Sequence, residues 1–348
     1  MKTADASRVL AARSLTRAEA RELFGGILAA PPNAEELAEL LRALATRGET
    51  AEEIAGAAEA MRAAMMTFDH GAPDAVDTCG TGGDGLGTFN LSTSAALVAA
   101  AAGVKVVKHG NRAASSQCGS ADLLEAAGVR MQLTPKQSRT VFEECGFVFL
   151  YAPVYHPALA PIAPVRRALG IRTIFNFLGP LCNPGRVTRQ LLGVSDRTRL
   201  ADYARVLEAL GCKHGVVVHG AGGADELTLE GPNLLIWLGG TVPHGGASSL
   251  PAQEFGLKAA PVSALAGGDA ACNLRLLHGV FAGEPGPLRD AVLLNATVAI
   301  FLADTGVGRV SVLSAAFAKA CEAIDSGAAR ALLARVVRSS QRLSGEAA

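Results

Sequence analysis

Aromatic residues are scarce in this chain of 348 residues, because Phe, Trp and Tyr make up 5% of it while hydrophobic residues as a class make up 49%. Ala, Leu, Val and Gly supply the bulk of the chain. This composition favours an α/β or helical enzyme over a β-sandwich. A chain of this length can bury a large core, and we expect it to divide into two domains.

An excess of either charge is also missing, since 32 Lys and Arg balance 32 Asp and Glu. Neutrality argues against bulk attraction to nucleic acid or to an anionic membrane. The longest uncharged apolar run, Ala95 to Val104, is too short to cross a bilayer. Charges throughout the N-terminal segment do not fit a signal peptide. We therefore expect a cytoplasmic protein that binds neither membrane nor nucleic acid.

Closely spaced cysteines are lacking as well. The seven cysteines are scattered along the chain without a zinc-type pair. Their odd number fits free thiols in a reducing compartment, and most of them are expected to be buried filler.

The pattern of apolar residues changes along the chain. Residues 15–65 have helical spacing, with a start at Leu15-Thr16 and a capping-box sequence at Thr50-Ala-Glu-Glu53. After Pro73, short strands alternate with Ala-rich helices, which predicts a mostly parallel sheet covered by helices. The predicted strands are 75–77, 104–107, 147–150 and 215–219; the predicted helices are 92–102, 120–127, 159–170 (interrupted by Pro161 and Pro164), 287–305 and 312–341; and 239–246 is a predicted loop.

Acidic residues are absent between Asp84 and Asp122, a segment rich in glycine and hydroxyl groups. Lys105, Lys108 and Arg112 are its positive residues. A segment with donors and cations but no carboxylates is suited to holding a polyanion, and we expect a phosphorylated small molecule.

The glycine-rich turn Gly80-Thr-Gly-Gly-Asp-Gly85 formally matches the dinucleotide fingerprint GxGxxG. A dinucleotide site needs an acidic residue about 20 positions later, where this chain has Lys105 and Lys108. The GK[ST] ending of a P-loop is absent too. Convergent backbone N–H groups that bind phosphate remain the favoured interpretation, with a purely conformational turn as the alternative.

Two further donor-rich segments follow this turn. Asn90-Leu-Ser-Thr93 begins a helix, where such residues are either simple caps or ligands of an anion or metal at the positive end of the helix. The segment 108–116, KHGNRAASS, follows a strand, and its density of donors favours ligand binding over a solvated strand end.

The second half of the chain offers an acidic pair and an arginine. Asp225 and Glu226 follow a strand and a glycine turn, which suits Mg²⁺ shared with substrate phosphates but also fits an ordinary acidic turn. Arg166 follows Pro164 and is either a bidentate clamp for a carboxylate or a member of a structural ion pair. The sequence leaves both pairs of alternatives open.

Five blocks of sequence together resemble the anthranilate phosphoribosyltransferase family. They are DTCGTGGDG, FNLST, VVKHGNRAASSQCGSADLLEAAGV, HPALAPIAPVRRALGIRTIFNFLGPLCNP and GGADE, in the family's order and with similar spacing. The N-terminal helical sequences are also similar to that family, so the resemblance covers nearly the whole chain. Phe177 is bulkier than a common alternative in the family, and the segment LPAQEFGL matches only loosely. These departures leave open whether the acceptor is anthranilate or a close aminobenzoate.

The resemblance implies an α/β fold with a small N-terminal α-helical domain hinged to a larger α/β domain that has a central, mostly parallel sheet. The helical domain would comprise residues 1–72, completed by helices around 157–185, and the α/β domain residues 73–348. It also implies a homodimer that forms contacts through the helical domain. The implied reaction transfers a phosphoribosyl group from 5-phosphoribosyl 1-diphosphate to the amine of anthranilate in tryptophan biosynthesis.

The same resemblance implies the site residues. The diphosphate substrate would contact Gly80, Gly83, Asp84, Thr88, Asn90, Leu91, Ser92, Thr93, Lys108, His109, Gly110, Asn111, Arg112, Ala113, Ala114, Ser115, Ser116 and Ser120. Anthranilate would contact Gly80, Asn111, Arg166, His109 and His156, with Arg166 on its carboxylate. Two Mg²⁺ ions would bind Ser92, Asp225 and Glu226.

Two competing families share part of this pattern. A pyrimidine-nucleoside phosphorylase has a similar fold, but it carries a Ser-Gly-Arg block in place of Lys-His-Gly-Asn-Arg and needs no magnesium diphosphate site. A related branch binds nucleic acid without transferase activity, which the neutral charge of this chain disfavours.

Overall fold

The computed structural model describes residues 13–113, 116–239, 247–304 and 310–343. Three N-terminal helices, α1 (Arg17–Ala29), α2 (Ala34–Arg47) and α3 (Ala51–Ala64), form the first layer. Thr16 and Thr50 begin α1 and α3 with reciprocal capping boxes, of which the sequence analysis predicted the one at Thr50. Gly56 permits the close approach of these two helices, because a Cβ there would lie 2.3 Å from the carbonyl oxygen of Arg17.

A second group of short helices completes this helical layer. They are α8 (Ala163–Leu169) and α9 (Ile174–Leu178), with 3₁₀ turns at Pro157–Leu159 and Gly179–Leu181; the short helix α7 (Ala152–Tyr155) precedes them and buries Tyr155 in a separate cluster. Phe24 of α1 packs edge-to-face against Phe175 of α9, with ring centroids 5.8 Å apart. Residues far apart in sequence thus share one buried cluster.

A sheet of seven strands forms the larger part of the molecule. The strands are β1 (Val76–Gly80), β2 (Val106–Gly110), β3 (Phe147–Tyr151), β4 (Arg189–Gly193), β5 (His214–His219), β6 (Asn233–Leu238) and β7 (Ser248–Leu250). Their order is β3-β2-β1-β4-β5-β6-β7. Strands β1 to β5 are parallel to one another, whereas β6 pairs antiparallel with β5 and β7 pairs antiparallel with β6. The helical layer and the mostly parallel sheet confirm the predicted fold class.

Helices cover both faces of the sheet. They are α4 (Leu91–Ala101), α5 (Ser120–Ala126), α6 (Pro135–Cys145), α10 (Leu200–Ala209), α11 (Ala270–Phe281), α12 (Pro287–Ala303), α13 (Val310–Asp325) and α14 (Ala328–Arg342). Alternate residues of β5 enter different clusters: Val216 and Val218 face the side of α4 and α12, whereas Val217 faces the helical layer. No helix in the described ranges has the length and apolar character needed to cross a membrane.

Several predicted boundaries were wrong. The single helix predicted at 312–341 is two helices, because Gly327 adopts a left-handed conformation (φ 76°) at the start of α14. The strand predicted at 104–107 is Val106–Gly110, and the helix predicted at 159–170 is regular only from Ala163 to Leu169. The predicted loop 239–246 lies outside the described residues beyond Gly239.

The sheet brings the carboxyl ends of its parallel strands to one edge. From β1 the chain proceeds to β2 and β3 on one side, whereas β4 and β5 lie on the other. Gly80 at the end of β1 is in register with Gly193 at the end of β4. This reversal of strand order creates the crevice in which ligands of open α/β sheets bind.

Candidate functional site

The glycine-rich turn leaves β1 at the crevice. Gly82 and Gly83 have positive φ values of 65° and 73°, a conformation that other residues rarely adopt. The N–H of Gly82 donates to Oδ2 of Asp225 over 2.5 Å. Asp84 is half-buried in the same turn, and its carboxylate accepts from the N–H of Leu86. Beyond it, Thr88 forms an isolated bridge with Ala266. The turn therefore directs a backbone donor toward the acidic loop.

The first residues of α4 form the next part of the site. Asn90 occupies the N-cap position without a side-chain capping bond. The N–H of Ser92 donates to Oε1 of Glu226 over 2.8 Å, and Oγ of Ser92 accepts from Nζ of Lys108 over 3.3 Å. Leu91 and Thr93 are buried beside them. Asn90 and Ser92 therefore do not act as simple side-chain caps.

Lys108 lies inside the site, with 2% of its surface exposed. Its ammonium group donates to the carbonyl of Thr78 as well as to Ser92. Burial lowers the pKa of Lys108, and the nearby charge of Asp77 opposes that shift. The alternative of a solvated strand end is therefore excluded.

Asp225 and Glu226 form the acidic side of the site. A Cβ on Gly80 would lie 2.2 Å from Oδ2 of Asp225, and a Cβ on Gly193 would lie 1.5 Å from its carbonyl oxygen. Burial, followed by the charge of Asp84, raises the pKa of Asp225 to about 7. Burial, followed by the charge of Asp225, raises the pKa of Glu226 to about 8. The acidic loop therefore packs Asp225 against the ends of β1 and β4 and places the carboxylate of Glu226 at the start of α4.

These carboxylates suit a divalent cation. Nowhere in the described ranges do three or more His, Cys, Asp or Glu side chains form a complete metal site. Mg²⁺ needs few protein ligands, because it retains waters and shares the oxygens of substrate phosphates. Burial and mutual repulsion disfavour the ionised form of both carboxylates. A bound cation would offset that cost, so the two residues suit a metal ion.

His109 and His156 form an aromatic wall beside the end of β2. Their ring centroids are 5.0 Å apart. Burial lowers the pKa of His109 to about 3, with His156 as a further cause, and burial lowers the pKa of His156 to about 4. Nε2 of His109 has no hydrogen-bond partner among the described residues, whereas a backbone hydrogen bond with Cys182 opposes the lowered pKa of His156. Both imidazoles are therefore neutral at pH 7.

Arg166 projects from α8 of the helical layer and is half-buried. Its guanidinium lies 5.4 Å from the centroid of the Phe175 ring. No ion pair of Arg166 exists within the described part of the chain, and its buried Nε has no hydrogen-bond partner there. Burial lowers its pKa. The structural ion pair is thus not found, and a guanidinium remains available for a carboxylate.

The segment after β2 divides into two parts. Asn111 is exposed, and its backbone carbonyl accepts from Oγ of Ser120 over 3.2 Å. Arg112 instead pairs with Asp122 and Glu125 at 3.0 and 2.7 Å. Its guanidinium therefore fastens the loop to α5.

The rest of this segment is less informative. Gly110 ends β2, and a Cβ there would lie 2.3 Å from Oγ of Ser120. The N–H of Ala113 donates to Asp122 over 2.9 Å, and Ser116 is exposed. Ala114 and Ser115 lie outside the described residues.

The sequence interpretation missed three polar residues around the crevice. Arg172 stacks on Phe177 at 5.5 Å and lies 3.9 Å from the position of a Cβ on Gly83. Asn273 and Asn295 hydrogen-bond to segments of the site. The two asparagines could have been found in the sequence, because each is a polar residue within an otherwise apolar helical pattern.

Comparisons with known proteins identify the family and the fold. Residues 7–65 match the family described as "Glycosyl transferase family, helical bundle domain", and residues 72–330 match "Glycosyl transferase family, a/b domain". The anthranilate phosphoribosyltransferase of Symbiobacterium thermophilum is 44% identical over 341 residues, covering 98% of each chain.

Solved structures give the same result. The crystal structure of the Thermus thermophilus enzyme superimposes with a TM-score of 0.89 and 45% identity, covering 97% of this chain and 99% of the other. The Saccharomyces cerevisiae enzyme in complex with PRPP and Mg has a TM-score of 0.89 and 29% identity, covering 98% of each chain. These comparisons confirm the resemblance found in the sequence. The chain belongs to the anthranilate phosphoribosyltransferase family.

Proposed function

We propose that this protein transfers the 5-phosphoribosyl group of 5-phosphoribosyl 1-diphosphate to the amine of anthranilate. The products would be N-(5-phosphoribosyl)anthranilate and diphosphate, in tryptophan biosynthesis. The observation that carries the proposal is the meeting of Lys108 and the N-terminus of α4 with Asp225 and Glu226 at the strand ends. A cationic and a carboxylate side in direct contact suit a magnesium diphosphate better than inorganic phosphate or a nucleic acid.

The diphosphate substrate would lie against the glycine turn, the start of α4 and Lys108. Backbone N–H groups of Gly82, Gly83 and Ser92 would donate to phosphate oxygens, and Lys108 would add a positive charge. The exposed residues Asn111 and Ser116 would contact the same ligand from the loop after β2. The choice of ligand is supported by the homologous yeast enzyme, whose structure was solved in complex with PRPP (5-phosphoribosyl 1-diphosphate) and Mg.

Asp225, Glu226 and Ser92 would hold Mg²⁺, and we propose two ions per protomer. When bound, the ions neutralise the charge that develops on the departing diphosphate. Asp84 would assist, since its charge already acts on both carboxylates.

Anthranilate would enter from the helical side. Arg166 would grip its carboxylate, and the neutral rings of His109 and His156 would line the path of its aromatic ring. The yeast enzyme has also been crystallised with 4-fluoroanthranilate, an analogue of the same shape. Asn111 and the backbone of Gly80 would complete the contacts near the amine.

Positioning is the main contribution of this site to the reaction. The amine of anthranilate is neutral at pH 7 and does not need a strong base to become nucleophilic. The buried imidazoles are poor proton acceptors, as their low pKa values show. Fixed donors, cations and apolar walls would bring the amine and the ribose carbon together while diphosphate departs.

Other features of the proposal concern the whole molecule. We place the domain division at residues 72 and 73, with α8 and α9 in the helical domain, because their side chains share its core. We also propose a cytoplasmic homodimer that forms contacts through the helical domain. The distribution of Arg166 and Lys108 over the two domains is consistent with a cleft closed by a hinge.

The direct test mixes the protein with Mg²⁺, 5-phosphoribosyl 1-diphosphate and anthranilate and follows the loss of anthranilate fluorescence. We expect a decline that stops when EDTA is added. No decline at any magnesium concentration would contradict the proposal, and a decline with 4-aminobenzoate alone would change the acceptor. A gel shift with single-stranded DNA tests the nucleic-acid alternative; salt-sensitive binding without turnover would support that alternative.

A further inference from the structure

Two buried asparagines connect the C-terminal helices to the site. Asn273 lies on α11 and Asn295 on α12, with exposures of 1% and 2%. Neither belongs to a loop at the crevice. Burying an amide in an apolar environment costs free energy unless its donors and acceptors form hydrogen bonds. The hydrogen-bond partners of each amide therefore indicate which segment it positions.

Asn273 contacts the phosphate-binding side. Its Nδ2 donates to Oδ1 of Asn90 over 2.8 Å, while its Oδ1 accepts from the N–H of Gly268 over 2.8 Å. Asn90 in turn donates from Nδ2 to the carbonyl of Cys118 over 3.0 Å. This chain of hydrogen bonds fixes the amide of Asn90 at both ends and links the start of α4 to the loop before α5.

The backbone beside Asn273 reinforces the same connection. The N–H of Phe89 donates to the carbonyl of Leu265 over 2.8 Å, and the N–H of Gly267 donates to the carbonyl of Gly87 over 2.9 Å. The segment 265–273 therefore holds both the exit of the glycine turn and the N-cap residue of α4.

Asn295 contacts the acidic side. Its Oδ1 accepts from the N–H of Leu227 over 3.1 Å, and its Nδ2 donates to the carbonyl of Leu227 over 2.8 Å. A third bond runs from Nδ2 to the carbonyl of Ala291, one turn earlier in α12. Since Leu227 directly follows Glu226, the amide sets the path of the backbone that leaves the acidic pair.

We propose that Asn273 and Asn295 are positioning residues with separate duties. Asn273 orients the side that binds the diphosphate substrate, and Asn295 orients the side that binds Mg²⁺. Neither residue touches a substrate. The inference rests on the proposed function and adds to it that each of these two C-terminal helices orients one half of the site.

The first test is Asn273→Ala, which removes the bond to Asn90. We expect the KM for 5-phosphoribosyl 1-diphosphate to rise about tenfold, the effect of one buried hydrogen bond. The magnesium concentration for half-maximal activity should stay within about twofold of the wild-type value. The control is Leu277→Val on the same helix, which loosens packing in the core without touching Asn90.

The second test is Asn295→Ala, with the opposite pattern. We expect the half-activating magnesium concentration to rise about tenfold, because Leu227 loses two buried partners. The KM for the diphosphate substrate, measured at saturating Mg²⁺, should change less than about twofold. The control is Thr297→Val on the same helix, since the Thr297 hydroxyl bonds only within α12, to Leu293, in the described structure.

Thermal unfolding of all four variants separates positioning from stability. The proposal would be overturned if a control variant with a similar loss of Tm showed the same change in KM or in magnesium requirement as the alanine variant on its helix. It would also be overturned if Asn273→Ala and Asn295→Ala had equal effects on both KM and magnesium requirement. Should either alanine variant fail to fold, Asn273→Ser or Asn295→Ser replaces it under the same criteria. An inactive wild-type protein would instead refute the proposed function, so the two failures are distinguishable.

Discussion

The donor side and the carboxylate side of the site have opposite chemistry, although both begin at the ends of parallel strands of one sheet. The turn after β1 and the start of α4 offer N–H groups, β2 offers Lys108, and the loop after β5 offers Asp225 and Glu226. The two sides are bonded to each other, from Gly82 to Asp225 and from Ser92 to Glu226. A phosphate that takes these donors displaces the carboxylates, which then need a cation. The pairing explains why anion and metal should bind together.

Removing the cation of the donor side should have the largest effect. In Lys108→Met the site loses a buried charge directed at the ligand, and we expect kcat/KM for the diphosphate substrate to fall about 100-fold. Steady-state kinetics measures this. Lys105→Met is the matched control, because Lys105 is exposed three residues earlier in the same acid-free stretch. Comparable losses in both variants would mean that overall charge, and not the buried contact, attracts the substrate.

Weakening the carboxylate side should shift the metal requirement. For Glu226→Gln we expect the magnesium concentration for half-maximal activity to increase about 30-fold, since an amide is a poorer ligand than a carboxylate. A magnesium titration at saturating substrates measures it. Glu254→Gln, on an exposed turn, should leave the titration unchanged. An unaltered titration for Glu226→Gln would remove this residue from the metal site.

Arg166 lies on the helical layer and belongs to neither the donor side nor the carboxylate side. A variant at this position tests whether the helical layer binds a different substrate. Arg166→Lys keeps the charge but loses the bidentate fork, and we expect the KM for anthranilate to rise about tenfold. The KM for the diphosphate substrate should stay the same. Arg167→Lys, at the exposed neighbouring position, is the control. If neither Arg166→Lys nor Arg166→Ala changes kcat or the KM for anthranilate, Arg166 does not bind the carboxylate of anthranilate.

The smallest expected effect is on stability. Burial raises the pKa of Asp225 from 3.8 to about 7 and that of Glu226 from 4.5 to about 8, so the folded state holds these protons more tightly than the unfolded state. Their contribution is complete below the unfolded values and is lost as pH rises through the folded ones. Without Mg²⁺, we expect Tm to fall as the pH rises from about 5 to about 9.

Two comparisons test this assignment. The decline in Tm should be shallower in Glu226→Gln, and Mg²⁺ should stabilise the wild type most at the alkaline end, where both carboxylates are ionised. Identical pH profiles for the variant and the wild type would show that these carboxylates do not govern the slope.

Much of this arrangement follows from local sequence. Thr16 marks the start of α1 in the sequence, and the capping-box sequence at Thr50 marks the start of α3. The change from helical to strand periodicity after Pro73 separates the helical layer from the sheet. The break at Gly327 was missed because apolar periodicity continues on both sides of it, and a single glycine is also tolerated within helices.

The site was predicted less completely because its geometry depends on contacts distant in sequence. Whether Arg166 has an acidic partner is decided by how α8 packs on α9, which no local pattern records. Arg112 looks like a ligand in sequence, but Asp122 and Glu125 hold its guanidinium. Asn295 meets Leu227 only through the tertiary fold.

Gly193 has a consequence for how this protein can vary. Any side chain there would start 1.5 Å from the carbonyl of Asp225, so the position accepts no other residue without moving the acidic loop. Every single-nucleotide change at the first two bases of a glycine codon gives a residue with a Cβ or a stop codon. A saturation library selected for growth without tryptophan should therefore retain only synonymous codons at this position.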